Sequence, residues 1–156
     1  MQSRIPMNSA AFLSVYRAMR GLGGAVHSSG LEESLLVLVK LRVSQLNGCG
    51  YCLDMHSKDA RAAGEADQRL YLLQVWREAS HLYSERERAA FAWAEAVTEL
   101  EHGHVPDDIY DLASAQFNEA ELAALTLAVV EINGWNRISI AFNAQPGTYR
   151  VGQHAA

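Results

Sequence analysis

Leu31-Glu-Glu-Ser-Leu-Leu-Val-Leu-Val-Lys-Leu-Arg-Val-Ser-Gln-Leu-Asn-Gly-Cys-Gly-Tyr-Cys-Leu-Asp-Met-His56 reads as one helix, a break and the start of another. Residues 31–46 have no strand-like alternation, and their centre, Leu35 to Val39, is apolar all round. A helix without a polar face is buried on every side. In so short a chain, part of that cover is expected from another subunit. Asn47-Gly48 then stops the helix, and the next is expected from Cys49 to Ala63, with Gly64 as its end.

Working outward, the same periodicity recurs on both sides. Phe12, Val15, Tyr16 and Met19 predict a first helix over 9–20, loosened by Gly21-Leu-Gly-Gly24. That glycine cluster is a poor phosphate loop, because no Lys-Ser or Lys-Thr follows it and no strand precedes it. Leu70, Leu73 and Trp76 predict a helix over 66–79. Ser84-Glu-Arg-Glu87 fits a capping box ahead of a helix that turns Ala90, Trp93, Ala94, Val97 and Leu100 inward. Pro106-Asp-Asp opens a short helix through Ala115, since proline suits a first turn and acids complement the dipole. Asn118-Glu-Ala-Glu121 caps a long helix with the stripe Leu122, Leu125, Val129 and Ile132, and Gly134 is expected to kink it. The fold class is therefore all-α, a single-domain helical bundle over 1–145, with 146–156 as a loosely held tail.

With 156 residues, 49% of them apolar and 20% charged, the chain has the composition of one globular domain. A net charge of −5 without a Lys/Arg cluster argues against a nucleic-acid partner. No apolar run approaches the ~20 residues that span a bilayer. The N-terminus, Met1-Gln-Ser-Arg-Ile-Pro6, lacks secretory features, so a cytoplasmic address is the expectation.

The two cysteines stand three residues apart. A disulfide between them closes only a tiny loop and adds little stability, so a structural bridge explains the pair poorly. In a reducing compartment such a pair is more often redox-active or metal-binding. At a helix start, free backbone N–H groups and the dipole favour a thiolate. If one sulfur is oxidised to a sulfenic acid, the other can condense with it, expelling water and forming a disulfide. His56, four residues after Cys52, shares its helix face and can exchange a proton with it.

Other readings compete. The thiols and His56 can be plain core residues. Zinc ligation has three candidate ligands in Cys49, Cys52 and His56, and a structural site needs a fourth, for which His102 or His104 are available. Glu101-His-Gly-His104, however, reads as a polar loop between helices. His27, His81 and His154 have no partner pattern and are expected at the surface. No metal or cofactor is expected.

Leu38 to His56, together with Trp76-Arg-Glu78, Ser84 to Ala90, Gly103-His-Val-Pro106, Leu125-Thr-Leu-Ala128 and Asn133-Gly-Trp-Asn-Arg137, resembles the alkyl hydroperoxidase D-like proteins of the carboxymuconolactone decarboxylase superfamily. The resemblance spans nearly the whole chain. It implies an all-helical subunit assembling into a homo-trimer or homo-hexamer, with the cysteine pair at the start of a core helix. It also implies a thiol-dependent peroxidase or disulfide oxidoreductase acting on a small peroxide and recharged by a dithiol protein or small thiol. Cys52 would attack the peroxide, Cys49 resolve it, and His56 relay the proton.

One position departs from the resemblance. The peroxidases carry a glutamate twelve residues before the first cysteine, where this chain has Val37. Glu33, one turn earlier, would have to reach about 6 Å along the axis to substitute; Tyr51 is a second source of a hydrogen bond. A decarboxylase would need a fixed cation for its substrate's carboxylates, for which Arg137 and Arg42 are the candidates, and that branch does not rely on a cysteine pair. A non-enzymatic redox-sensing or scaffold oligomer is the other alternative.

Overall fold

The computed structural model describes residues 3–7 and 9–153. Among the described residues it contains seven α-helices and no strand. The helices are α1 (Leu13–His27), α2 (Glu33–Asn47), α3 (Gly50–Ala62), α4 (Asp67–Leu72), α5 (Glu85–Glu99), α6 (Asp107–Ser114) and α7 (Glu119–Ala141). The all-α bundle expected from the sequence is the fold observed.

α2 is the central post, packed against α3, α5 and α7. Leu35, Leu36, Leu38 and Val39 are buried within the one chain, so the apolar run needs no second subunit to cover it. Gly48 ends α2 at φ 67, the left-handed conformation a side chain resists, and turns the chain into α3. Both capping boxes form, Ser84 with Glu87 and Asn118 with Glu121. The stripe Leu122, Leu125, Val129 and Ile132 is buried as expected.

Several expectations fail for identifiable reasons. α1 starts later and runs straight through Gly21–Gly24 to His27. The glycines there serve contact rather than flexibility: a Cβ on Gly23 would lie 3.0 Å from Glu131 Oε1 on α7. Val15 is exposed, and from α1 itself only Val26 is fully buried. Gly134 does not kink α7; it makes room for Met19, whose Cε would stand 2.8 Å from an added Cβ. The helix expected over 66–79 stops at Leu72 and tightens into a 3₁₀ turn, Leu73–Val75. That turn delivers Trp76 to α5, where its ring meets Phe91 edge-on at 5.7 Å and its N–H reaches Glu95 at 2.8 Å. Leu100 is half-exposed at the left-handed end of α5 instead of inward.

Residues 146–153 are better anchored than a loose tail. Gly147 N–H donates to Asp54 Oδ2 (2.9 Å), Lys58 Nζ to the Tyr149 carbonyl (3.0 Å) and the Tyr149 hydroxyl to Asp59 Oδ1 (2.8 Å), all on α3. His154 lies outside the described residues.

Candidate active site

Cys49 is the N-cap of α3, and its sulfur accepts the Cys52 backbone N–H at 3.4 Å. Gly48 makes this possible, since the turn it permits lets the Cys49 N–H also bond the Ser44 carbonyl at 3.0 Å. The two sulfurs lie 2.6 Å apart and share a hydrogen bond; both thiols are free and buried. Hydrogen bonding from the Cys52 thiol, against the opposing effect of burial, pulls Cys49 down to about 7. The same bond, then burial and the charge on Cys49, push Cys52 up. The pair thus releases one proton near neutrality and holds the second, a property of both sulfurs together.

The sulfurs are equally buried, at 1% exposure each, but differ in what they face. Cys52 lines a cavity of about 1130 Å³ and Cys49 does not. Around Cys52 the wall includes Tyr16, Tyr51, Met55, His56, Ile132 and Trp135, so it is largely apolar and aromatic. Cys49 sits behind, at 1% exposure, against α7. Ser139 Oγ is 3.8 Å from Cys52 Sγ, and hydrogen bonds from Ser139 and Asn136 lower both thiols.

His56 falls on the cavity wall one turn beyond Cys52, as the spacing predicts. Burial, then the nearby positive charge of Lys40, push its pKa down to about 3. It is therefore neutral at physiological pH. A neutral imidazole can still pass a proton, accepting at one nitrogen while donating from the other.

Lys40 belongs to a feature the sequence did not flag. Its ammonium pairs with Glu131 at 2.8 Å on the same cavity, both side chains being nearly buried, and Trp135 Nε1 donates to the other carboxylate oxygen at 3.2 Å. A charged residue in the apolar stripe of α7 was the available signal, but its partner lies on another helix.

The proposed substitutes for a carboxylate at position 37 fare unequally. Val37 is half-buried in the core. Glu33 is exposed and paired with His27 at the rim, away from the sulfurs. Tyr51 does line the cavity. Arg42 is held by Glu95 at 2.6 Å, and Arg137 bonds Asn133 Oδ1 at 2.7 Å; neither lines the cavity, so neither supplies the cation a decarboxylase would need. His102 and His104 sit exposed in the loop between α5 and α6, and His81 is exposed. Among the described residues no group of three or more His, Cys, Asp or Glu gathers to hold a metal ion.

Residues 14–96 match the model of the carboxymuconolactone decarboxylase family. The chain belongs to that family, in its alkyl hydroperoxidase D-like branch. It is 42% identical over 113 residues to YdfG of Bacillus subtilis (strain 168), an uncharacterized protein, covering 72% of this chain and 76% of that one. YnjA of Escherichia coli (strain K12), also uncharacterized, is 32% identical over 117 residues, covering 74% of this chain and 60% of its relative. A solved Agrobacterium tumefaciens protein of unknown function, provisionally described as an antioxidant defence protein AhpD, superposes with a TM-score of 0.88 at 39% identity, over 95% of this chain and all (100%) of that one. An uncharacterized peroxidase-related protein from Silicibacter sp. TM1040 shares the fold, with a TM-score of 0.76 at 19% identity over 87% of this chain and 72% of its own. Family membership and fold thus agree with the resemblance read from Leu38 to His56.

Proposed function

We propose that the protein is a thiol-dependent peroxidase or disulfide oxidoreductase of antioxidant defence, with Cys52 as the attacking sulfur, Cys49 as the resolving one and His56 passing the proton. The observation that carries the reading is the asymmetry of the pair: Cys52 opens on the cavity while Cys49 touches it from behind. Proton transfer from Cys52 to the Cys49 thiolate, across their shared hydrogen bond, arms the substrate-facing sulfur. Cys52 then takes the distal oxygen of a peroxide ROOH, the O–O bond breaks, and ROH leaves with a proton relayed by His56. Cys49 attacks the resulting sulfenic acid, expels water and closes the disulfide; a dithiol donor returns two electrons and two protons.

A small peroxide and a dithiol protein or small thiol are the partners, in a homo-trimer or homo-hexamer in the cytoplasm. Leu13, Val15, Val130 and Ile140 are among the exposed apolar side chains available for an assembly to cover. No helix among the described residues is long and apolar enough to cross a membrane. The test is peroxide consumption with several dithiol donors, by wild type, Cys52→Ser and Cys49→Ser. Wild type should turn over, Cys52→Ser should fall to background, and Cys49→Ser should stop after one equivalent with a trappable sulfenic acid on Cys52. Wild type at background with every donor overturns the enzyme and leaves the redox-sensing oligomer, a reading favoured by Val37 standing where the resemblance implies a carboxylate.

A further inference from the structure

Asn133-Gly-Trp-Asn-Arg137 supplies no group to the steps proposed above, yet Trp135 stands on the cavity wall and Asn136 hydrogen-bonds the cysteine pair. Asn136 is fully buried, and so, at 3% exposure, is Ser139, one turn later on α7. A buried amide must find partners for two N–H groups and a carbonyl. Here the carbonyl Oδ1 accepts from Asn47 Nδ2 at 2.9 Å, and one N–H donates to Ser44 Oγ at 3.0 Å. Ser44 in turn donates to the Lys40 carbonyl at 2.7 Å, so it can only accept from Asn136. This fixes the amide. Flipping it would set its N–H group against the N–H group of Asn47, so the amide keeps its donor side, with one N–H beyond Ser44, for the hydrogen bonding that lowers both thiols.

Ser139 Oγ accepts from the Cys52 thiol at 3.8 Å, and its rotatable hydroxyl can turn to donate once the sulfur is ionised. Asn47 is also the last residue of α2, just before the turn that presents Cys49, and it bonds Asn133 Oδ1 at 2.9 Å. Asn133 is braced from the far side by Thr98 Oγ1 at 3.0 Å. The motif therefore holds the cysteine turn and aims neutral donors at it. A positive charge near the sulfurs would also favour a thiolate, but Lys40 is already committed to Glu131.

We propose that Asn136 and Ser139 form a neutral cradle that carries the thiolate charge of the Cys49–Cys52 pair, keeping one sulfur ionised at rest without a cation or a charged histidine. The inference rests on reading the pair as redox-active and assigns its resting anion to groups on α7 rather than to His56. Neutral donors suit a sulfur that must give up its charge each cycle, since they stabilise the anion without holding it as a fixed ion pair would.

The test is thiolate absorbance near 240 nm across pH 4 to 10 on the reduced, full-length protein, which needs no substrate. Wild type should show a transition near 7. Ser139→Ala and Asn136→Ala should each move the midpoint up by about one pH unit, the scale of a hydrogen bond lost from an anion. Alkylation by iodoacetamide at pH 7 should slow about fivefold in step. Ser139→Thr, which keeps the hydroxyl, should restore the wild-type midpoint. Thr98→Ala, which loosens the same motif away from the sulfurs, should leave it in place. Midpoints within about 0.2 unit of wild type in Ser139→Ala and in folded Asn136→Ala overturn the cradle, as does an equal shift in Thr98→Ala; if Asn136→Ala does not fold, Ser139→Ala decides alone. A wild type with both thiols reduced and no transition below pH 8 instead sinks the redox reading on which the cradle rests.

Discussion

The two faces of the cysteine pair are built from opposite materials. Behind it, toward α7, neutral amides and hydroxyls form a closed hydrogen-bond network in which Asn47, Asn136 and Ser44 have fixed donor and acceptor roles. In front of it, the cavity wall includes aromatic rings, a neutral histidine and the nearly buried Lys40–Glu131 pair, with Arg20, His27 and Asp59 also on it. The contrast teaches that charge and access are divided. Asn47, Asn136 and Ser44 stay off the cavity wall, Ser139 reaches both the network and the wall, and the cavity holds its nearly buried Lys40–Glu131 pair in a self-compensated form. Such a division lets the same dithiol remain partly ionised while its cavity stays apolar enough for an organic molecule.

The sharpest way to break the comparison is to remove half of the front ion pair. Lys40→Met leaves the Glu131 carboxylate nearly buried, without its ammonium partner and with the Trp135 N–H still on it. Loss of one member of a buried pair costs about 3–5 kcal/mol, while replacing both by apolar groups is close to neutral. Urea unfolding should therefore show a large loss for Lys40→Met and recovery in Lys40→Met/Glu131→Leu. A single variant within about 0.5 kcal/mol of wild type would mean that the carboxylate is solvated through the cavity, and the front face would be wetter than its aromatic wall implies.

That pair also marks the limit of what the sequence discloses. The α2–α3 boundary was legible because Asn47-Gly48 is a local signal, and the candidate site residues Cys49, Cys52 and His56 follow one another at intervals of about one helical turn. The capping boxes were legible for the same reason. Lys40–Glu131 and Asn136–Ser44 span about ninety residues, and no periodicity records which turn of α7 meets which turn of α2. The region after Leu72 failed differently: its stripe of Leu70, Leu73 and Trp76 has helical spacing, but Trp76 is drawn to Glu95 and Phe91, and tertiary contact overrode the local pattern. Gly23 and Gly134 looked like breakers because a close approach between α1 and α7 is invisible until the two helices are side by side.

A smaller effect separates the two faces in kinetics. If the resting anion belongs to the back face, His56→Ala should leave the thiolate midpoint near 7, because a neutral ring contributes no charge to it. The rate of peroxide reduction should still fall by about 10²-fold, as expected for loss of a proton-transfer group. Because burial and Lys40 hold the imidazole down to about 3, wild type should also show no second inflection between pH 5 and 8; activity should rise once, as pH passes upward through the thiol midpoint. Proton NMR of His56 checks the premise directly, and a ring that titrates near 6.5 would give the front face a switchable charge and dissolve the contrast.

The smallest expected effect concerns Val37. It stands three residues before Lys40 on α2, so a glutamate there would be a helical neighbour of the Lys40 ammonium and would compete with Glu131 for it. Drawing Lys40 toward position 37 shifts charge along the cavity edge and adds a proton acceptor beside the wall that carries neutral His56 and Tyr51. Val37 is half-buried among apolar neighbours, so the new carboxylate also carries a desolvation cost and is expected to have a raised pKa. The two tendencies oppose each other in stability but not in chemistry, since a carboxyl of raised pKa is the better proton shuttle near neutrality. Val37→Glu should therefore lower stability by about 1–3 kcal/mol and raise the rate of peroxide reduction by up to about tenfold, ~1.4 kcal/mol of barrier, with the thiolate midpoint unmoved. An unchanged rate in folded protein would show that proton delivery on the cavity side does not limit turnover. A shifted thiolate midpoint would show that the front face reaches the anion after all, and the division between the two faces would be one of degree.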